Sequence, residues 1–586
     1  MSWKLLPLML LLAQAPARPP DKASIQGFVL KIGTADPVSK AVVTLTRTDS
    51  RRETYSATTA SGGTFAFQNL EPGQYRLSAA RNGYVRSEYG ARSPNRPGLT
   101  ITLSAGQKLN ELTIPLMPAG TIAGRIFDRD GEPLANVNIQ ALRYTYQDGQ
   151  RVLNQVQGTR TNDLGEYRLY WLQPGQYFVS ATYAGPGGQR GVAVAAAIVD
   201  ALGAAGIGGR GGPGGAGAIA TAIGGETNAG ETEDEGYIPV YYPGTTDAQS
   251  ATAISLPSGV VFSGVDLTLT PVRTLRVRGQ VINGQTGQPA RNANITLVPR
   301  GRIGLGANLL QNFRNRNVND QGVFEIRGAV PGSYDLVGFI NDRNSMLTGR
   351  VALDIGGADV QNVSLVVSPG YSLAGRLTID GRTAAPGTNN PDTARIRVML
   401  RPGTGGGFQQ FRGGQNAAQV QADGTFTLPS LGQDNYRLNV AGLPRNAYVR
   451  TARLGSTDVL NEGLRIDRQP NGLLDILIGT DAGTADGTVV NDKQEPSVNV
   501  PVVLVPDPAR RNRSDLYRNV STDAAGRFHI EDVPPGDYKL FAWEDVESGA
   551  WQDPDFIRQY EDRGKAVRIS PSGTAMTELR VIPPQM

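Results

Sequence analysis

The sequence predicts an all-β chain built as a tandem array of about five antiparallel seven-stranded β-sandwiches. Three observations predict it. A turn–strand–turn–strand unit recurs five times, best seen at residues 161–177, Thr-Asn-Asp-Leu-Gly-Glu-Tyr-Arg-Leu-Tyr-Trp-Leu-Gln-Pro-Gly-Gln-Tyr. Each copy is preceded by a short strand of the form x-Gly-x-apolar. The composition, with 73 Gly and 38 Pro in 586 residues and 7% aromatic, suits many short strands joined by turns.

The recurrent unit reads as a β-hairpin. Asp163, Gly165 and Tyr167 lead to Pro174, Gly175 and Tyr177; Asp320, Gly322 and Phe324 lead to Pro331, Gly332 and Tyr334; Asp523, Gly526 and Phe528 lead to Pro535, Gly536 and Tyr538. The first copy has Ser61, Gly63 and Phe65 before Pro72, Gly73 and Tyr75. The fourth has Asp423, Gly424 and Phe426 before Gly432 and Tyr436, without the proline. The acids are expected to cap backbone N–H groups of the turn, and Gly to supply positive φ. Alternation such as Phe528/Ile530 against Arg527/His529 marks a half-buried strand.

The opening strands carry Gly27, Gly124, Gly279, Gly375 and Gly487, spaced by 97, 155, 96 and 112 residues. A repeated unit near one length, with one insertion, sets the domain map. It reads 18–118, 119–271, 272–369, 370–482 (a degenerate copy) and 483–586, after a leader at 1–17. The closing part of each repeat reads as strand–turn–strand, for example Leu99–Leu103 turning at Ala105-Gly106 into Leu112–Leu116. Residues 184–236 interrupt the second sandwich. With 17 Gly in 53 residues, this stretch has too little apolar surface to offset chain entropy and is expected to be disordered.

Lys4, the apolar run Leu5–Leu12 and the small residues Ala13, Ala15 and Ala17 read as a secretory signal. Export to the periplasm, the cell surface or the medium is the expectation. No stretch approaches the roughly 20 apolar residues of a membrane-spanning helix, so the chain is not expected to be an integral membrane protein. It has no Cys, so each sandwich must hold by packing alone. The net charge is +4 from 57 basic and 53 acidic residues, with no basic cluster interleaved with aromatics, which argues against nucleic acid as a partner.

The pattern Gly-x-Val, Gly-x-Pro-Leu-x-x-Ala-x-Val, Asp-x-x-Gly-x-Phe and Pro-Gly-x-Tyr resembles the carboxypeptidase regulatory-like domain. Repeat 2 carries it best, at Gly124, Gly131, Pro133, Leu134, Val137, Asp163, Gly165, Tyr167, Pro174, Gly175 and Tyr177. The resemblance implies a transthyretin-like (prealbumin-like) sandwich, grouped with carbohydrate-binding-like folds, in a bacterial protein. It implies an accessory or binding role and transfers no catalytic residue.

Chemistry is sparse. His529 is the single histidine, too few for a zinc peptidase site, and it sits on the outward face of a repeated strand. No nucleophile elbow or Ser-x-x-Lys dyad occurs. Gly206, Gly208 and Gly211 match a dinucleotide fingerprint, but inside the Gly-rich stretch rather than between a strand and a helix. One acid per turn is too few for a calcium site. A carboxylate-pair glycosidase would need two acids about 5–9.5 Å apart, a separation that sequence leaves open. No cofactor or metal is expected, and the chain is expected not to be an enzyme.

The remaining expectation is a binding surface for a polysaccharide or an envelope protein. Trp543 and Trp551 with Asp545 and Glu547 form the densest mix of aromatic and acidic residues, in what reads as a connection at the end of the fifth sandwich. Trp171, opposite Leu172 in an alternating stretch, is a further exposed candidate, with Tyr144, Tyr146, Tyr241 and Tyr242 behind it. The competing reading has these rings as sandwich-edge or interdomain packing. Envelope binding or scaffolding without catalysis is the leading function, and carbohydrate binding for polysaccharide uptake or degradation the alternative.

Overall fold

The computed structural model describes residues 21–49, 53–91, 93, 96–147, 149–183, 235–300, 316–342, 345–380, 395–402 and 416–583. The expected leader, nearly all of the 184–236 stretch and the Gly403–Gly407 loop lie outside them. The described residues fold into strands with a few short helical turns. The chain divides into two compact units, Met1–Ala119 and Gly120–Met586.

Every repeat uses the same wiring. The opening strand (Ala23–Lys31, Gly120–Phe127, Leu275–Asn283, Tyr371–Ile379 or Gly483–Val490) pairs antiparallel with the strand that follows the Asp/Asn-Gly turn. On its other side it runs parallel to the last strand of the repeat. Each otherwise antiparallel sandwich thus contains a parallel pairing at its opening strand, shared in repeat 2 between Val261–Phe262 and Leu267–Thr268. The closing strands are not a hairpin: Ile101–Leu103 pairs with Gly73–Ala80 in one sheet, while Lys108–Pro118 joins the other. The turn at Ala105-Gly106 therefore crosses the sandwich. In repeat 3 the strand Ser345–Ile355 pairs with both of its sequence neighbours and links the two halves into one seven-stranded sheet.

The repeated glycines have a single cause. A Cβ added at Gly27, Gly124, Gly279 or Gly487 would lie 1.9–2.0 Å from a carbonyl oxygen of the parallel partner strand. The same Cβ would press on Phe65, Tyr167, Phe324 or Phe528, the aromatic of the following strand. The x-Gly-x strand and the Gly-x-Phe/Tyr strand are thus two halves of one contact. Only a residue without a side chain lets the carbonyl and the ring approach together.

The Pro-Gly-x-Tyr element is a tyrosine corner. The hydroxyls of Tyr75, Tyr177, Tyr334, Tyr436 and Tyr538 donate to the carbonyl oxygens of Glu71, Gln173, Val330, Gly432 and Pro534, at 2.6–3.1 Å. Each ring is buried in the core of its own repeat. Burial pushes the Tyr538 hydroxyl up to about 12, so it stays a donor.

The turn chemistry differs from the expectation by one residue. In repeats 2 and 3 the cap is Asn162 or Asn319, not Asp163 or Asp320. Each Asn accepts from two backbone N–H groups at 2.8–3.1 Å. Asp523 does the same for Ala525 and Arg527. The capping position is the third before Gly165, Gly322 and Gly526, whose φ values are 69°, 74° and 71°. At that spacing an Asx side chain reaches both orphan donors of the turn. In repeat 4 that place is held by Gln421, and Asp423 instead accepts from the Thr425 N–H and hydroxyl.

Five main core clusters form, each drawn from one repeat. Repeat 5 has a second one on the outer side of a sheet, which bears directly on the candidate site.

Candidate functional site

The strand pair Pro501–Pro506 and Gly536–Ala542 is buried on both faces. Val502, Leu504 and Leu540 enter the sandwich core; Val503, Val505 and Phe541 face the other way. The chain after Ala542 returns over that outer face as helical turns at Ala550–Gln552 and Pro554–Arg558. This corrects the expectation of an exposed aromatic platform there. Trp543 is 1% exposed and Trp551 5%. Trp543 stacks on Phe541 at 5.0 Å with the planes 9° apart and meets Tyr560 edge-on at 5.7 Å. Its Nε1 is buried without a hydrogen-bond partner. The physical reason lies in the run Pro-Val-Val-Leu-Val-Pro at 501–506: an apolar strand with no alternation needs cover on both sides.

Asp545 and Glu547 stay exposed beside this cluster. Crowding by the surrounding protein raises the Glu547 carboxyl above its ordinary range, against the opposite pull of Arg143 and Arg151 of repeat 2. Of the other aromatic candidates, Tyr241 is buried. Tyr144 lies edge-on to Phe178 and under Arg151, and Tyr146 packs against the repeat 5 cluster.

Trp171 is different. It is 54% exposed, its neighbour Tyr170 46%, and the two rings meet edge-on at 4.8 Å and 85°. Trp171 occupies a β-bulge, where Tyr170 and Trp171 together oppose Thr121, and its φ is +60°. All five repeats have this bulge. The left-handed residue is Asn69, Gly328, Ser430 or Asp532 in the others. Gly, Asn and Asp tolerate the conformation, whereas other side chains, Ser430 and Trp171 here, cost roughly 1–2 kcal/mol. Repeat 2 alone spends that strain on a ring that burial does not repay. Val261, 55% exposed, pairs with Thr121 on the adjoining strand. The bulge was not foreseen in the sequence.

Among the described residues no group of three or more His, Cys, Asp or Glu side chains is placed to hold a metal. No helix among them is long and apolar enough to cross a membrane. His529 lies on the outer face of its strand, 53% exposed at the side chain, with Nδ1 against Asp486 and Nε2 3.1 Å from Glu531. Hydrogen bonding to Asp486, then to Glu531, raises its pKa above 6.5. The charged imidazole is therefore favoured by the fold. Its small contribution to stability is complete below pH 6.5 and is lost as pH rises through the folded pKa. As the only histidine, it should give one NMR imidazole signal titrating above 6.5; a midpoint at or below 6.5 would contradict the bracketing by two carboxylates.

The carboxypeptidase regulatory-like domain family model matches residues 24–116 and 121–201. No curated protein matches the chain. Among solved structures the chain is similar to the Bacillus anthracis TIE protein, at 14% identity over 59% of this chain and 51% of that one, with a TM-score of 0.16. It thus spans about half the length of that protein. It is also similar to a streptococcal ancillary pilin, at 10% identity over 59% of this chain and 99% of that one, with a TM-score of 0.19. A third similarity is to two B repeat units of the collagen binding protein of Staphylococcus aureus, at 11% identity over 78% and 99%, with a TM-score of 0.13. With the glycine–aromatic contact and the tyrosine corner in place in both, the chain carries carboxypeptidase regulatory-like domains at residues 24–116 and 121–201.

Proposed function

We propose that the chain is an exported, non-catalytic array of five sandwich domains that binds or scaffolds components of the cell envelope. The observation that carries this reading is the Tyr170–Trp171 pair, two adjacent rings held outside the core on a strained bulge. Strain kept at an exposed position without gain in packing points to a role for the ring itself. The equivalent bulge of repeat 5 already serves as a contact point: Asp532 Oδ1 accepts from the backbone N–H of Asn446 in repeat 4, at 2.6 Å. The bulge is thus a place where one sandwich of this chain meets the next, and in repeat 2 it offers apolar faces instead of a carboxylate.

The second reading, carbohydrate binding, rests on the same pair. Exposed aromatic faces accept the C–H faces of sugars, and the Gln157 side chain and Arg168 supply polar groups beside them.

Trp171→Asn tests both, because it installs the residue type that repeat 1 uses at this position. Purified full-length chain and variant would be compared on a glycan array and against envelope-protein fractions. The variant should lose retention of whichever partner the chain holds, while its melting temperature stays level or rises. Retention unchanged in the variant, or a lowered melting temperature, would count against a binding role for the ring.

A further inference from the structure

Repeat 2 departs from the shared fold at its second strand. Asn138–Gln147 and Gln150–Arg160 form a hairpin of 10 and 11 residues, whereas the corresponding strands of repeat 1, Val42–Arg47 and Thr54–Thr58, have 6 and 5. Repeat 2 takes Ile139 and Ala141 of this strand into its main core and Leu142 and Leu153 into a second cluster with Phe178 and Tyr241, whereas Tyr146, nearer the tip, joins neither. Repeat 5 departs at another place, with the helical turns at Ala550–Gln552 and Pro554–Arg558 that cover Trp543. No other repeat has this pair of turns among its described residues.

The two departures meet. Tyr146, one residue from the last of its strand, joins the Trp543 cluster and lies edge-on to Phe556 at 6.2 Å. At the hairpin turn the backbones touch: a Cβ on Gly149 (φ +75°) would fall 2.6 Å from the carbonyl oxygen of Gln552. A Cβ on Gly549 (φ +85°) would fall 3.2 Å from the Tyr146 carbonyl. Two glycines, one on each side, thus permit close approach of two segments some 400 residues apart in the chain. Arg143 and Arg151, on the hairpin, face Glu547 across the same junction. Each extension also supplies what the other lacks: an aromatic tip and an apolar seat.

We infer that the repeat 2 hairpin is a clasp that docks on the repeat 5 helical turns and locks residues 120–586 into one body. The seat is the Gly549–Phe556 segment with Trp543 beneath it; the tip is Tyr146 and Gly149. When closed, the clasp keeps Tyr146 and Phe556 half out of water; when open, both rings are bared.

Hydrogen exchange of the full chain tests the clasp, comparing it with Gly149→Asn and Tyr146→Ala. Asn tolerates the left-handed turn, so Gly149→Asn adds a side chain against Gln552 while keeping the hairpin. In the unaltered chain the amides of 146–151 should exchange far more slowly than those of a free hairpin tip. In each variant exchange should quicken about tenfold or more at both 144–152 and 549–557, with the strands around Tyr177 and Tyr538 unchanged. A rapidly exchanging tip in the unaltered chain would overturn the clasp. So would variants that quicken the hairpin alone and leave 549–557 as before.

Discussion

Trp543→Ala is expected to destabilise repeat 5 by roughly 3–5 kcal/mol, the usual cost of deleting a fully buried large aromatic. The ring stacks on Phe541, meets Tyr560 edge-on and lies near Phe556, so its removal leaves a hole bounded by three other rings. Val503 and Val505 would lose their cover on the outer face of the sheet. The loss is read by denaturant unfolding with the His529 imidazole signal as a reporter inside repeat 5. Trp551→Ala should act in the same direction. Trp171→Asn, on a ring left outside, should not. A cost below about 1 kcal/mol for Trp543→Ala would mean that the cluster relaxes freely and is no core.

The contrast between these tryptophans shows what was legible. Trp171 read as outward from its place beside Leu172, and it is outward, but the cause is the bulge: unbroken alternation from Tyr167 and Leu169 would have turned it inward. The connection after Ala542 read as a loop because acids and Gly punctuate it. Yet the strand beneath, at 501–506, has no polar face, and a strand apolar on both sides demands a cover. That demand was readable in the sequence, and the cover had to come from the apolar residues that follow: Trp543, Val546, Trp551, Ile557 and Tyr560. The clasp was not readable, because contact between repeats 2 and 5 depends on the path of the chain through repeats 3 and 4.

The turn motif shows a subtler limit. Matching copies by their aspartates put the cap at Asp163 and Asp320, but distance to the glycine governs which side chain reaches the turn donors. That rule selects Asn162, Asn319 and Asp523. The same comparison by position, applied four residues before each Pro-Gly glycine, lines up Asn69, Trp171, Gly328 and Asp532. Three of these four are turn-type residues, which marks a left-handed site and leaves the tryptophan as the exception. Repeat 4, with no Pro-Gly, shows Ser430 there only once strand pairing fixes the register. The parallel closing strand was hidden for another reason. Side-chain alternation gives which face a residue takes but carries no sign for the direction of its neighbour.

Gly487→Ala should cost repeat 5 about 3 kcal/mol or more, although it adds one methyl group. The new Cβ would stand 1.9 Å from the carbonyl oxygen of Thr577 and 2.8 Å from two ring carbons of Phe528. The ring could turn aside, but the carbonyl belongs to the parallel strand and cannot move without breaking the ladder that pairs Gly483–Val490 with Thr574–Arg580. A double variant with Phe528→Leu separates the two obstacles. If the ring were the obstacle, the second change would recover stability; because the carbonyl is, it should recover little and add the cost of a smaller core residue. Gly33 supplies the control. Its φ is +88° with nothing within 4 Å of an added Cβ, so Gly33→Asn should change stability by less than about 0.5 kcal/mol. A mild Gly487→Ala would show that the parallel strand yields, and the recurrence of glycine at 27, 124, 279, 375 and 487 would then need a cause other than close approach.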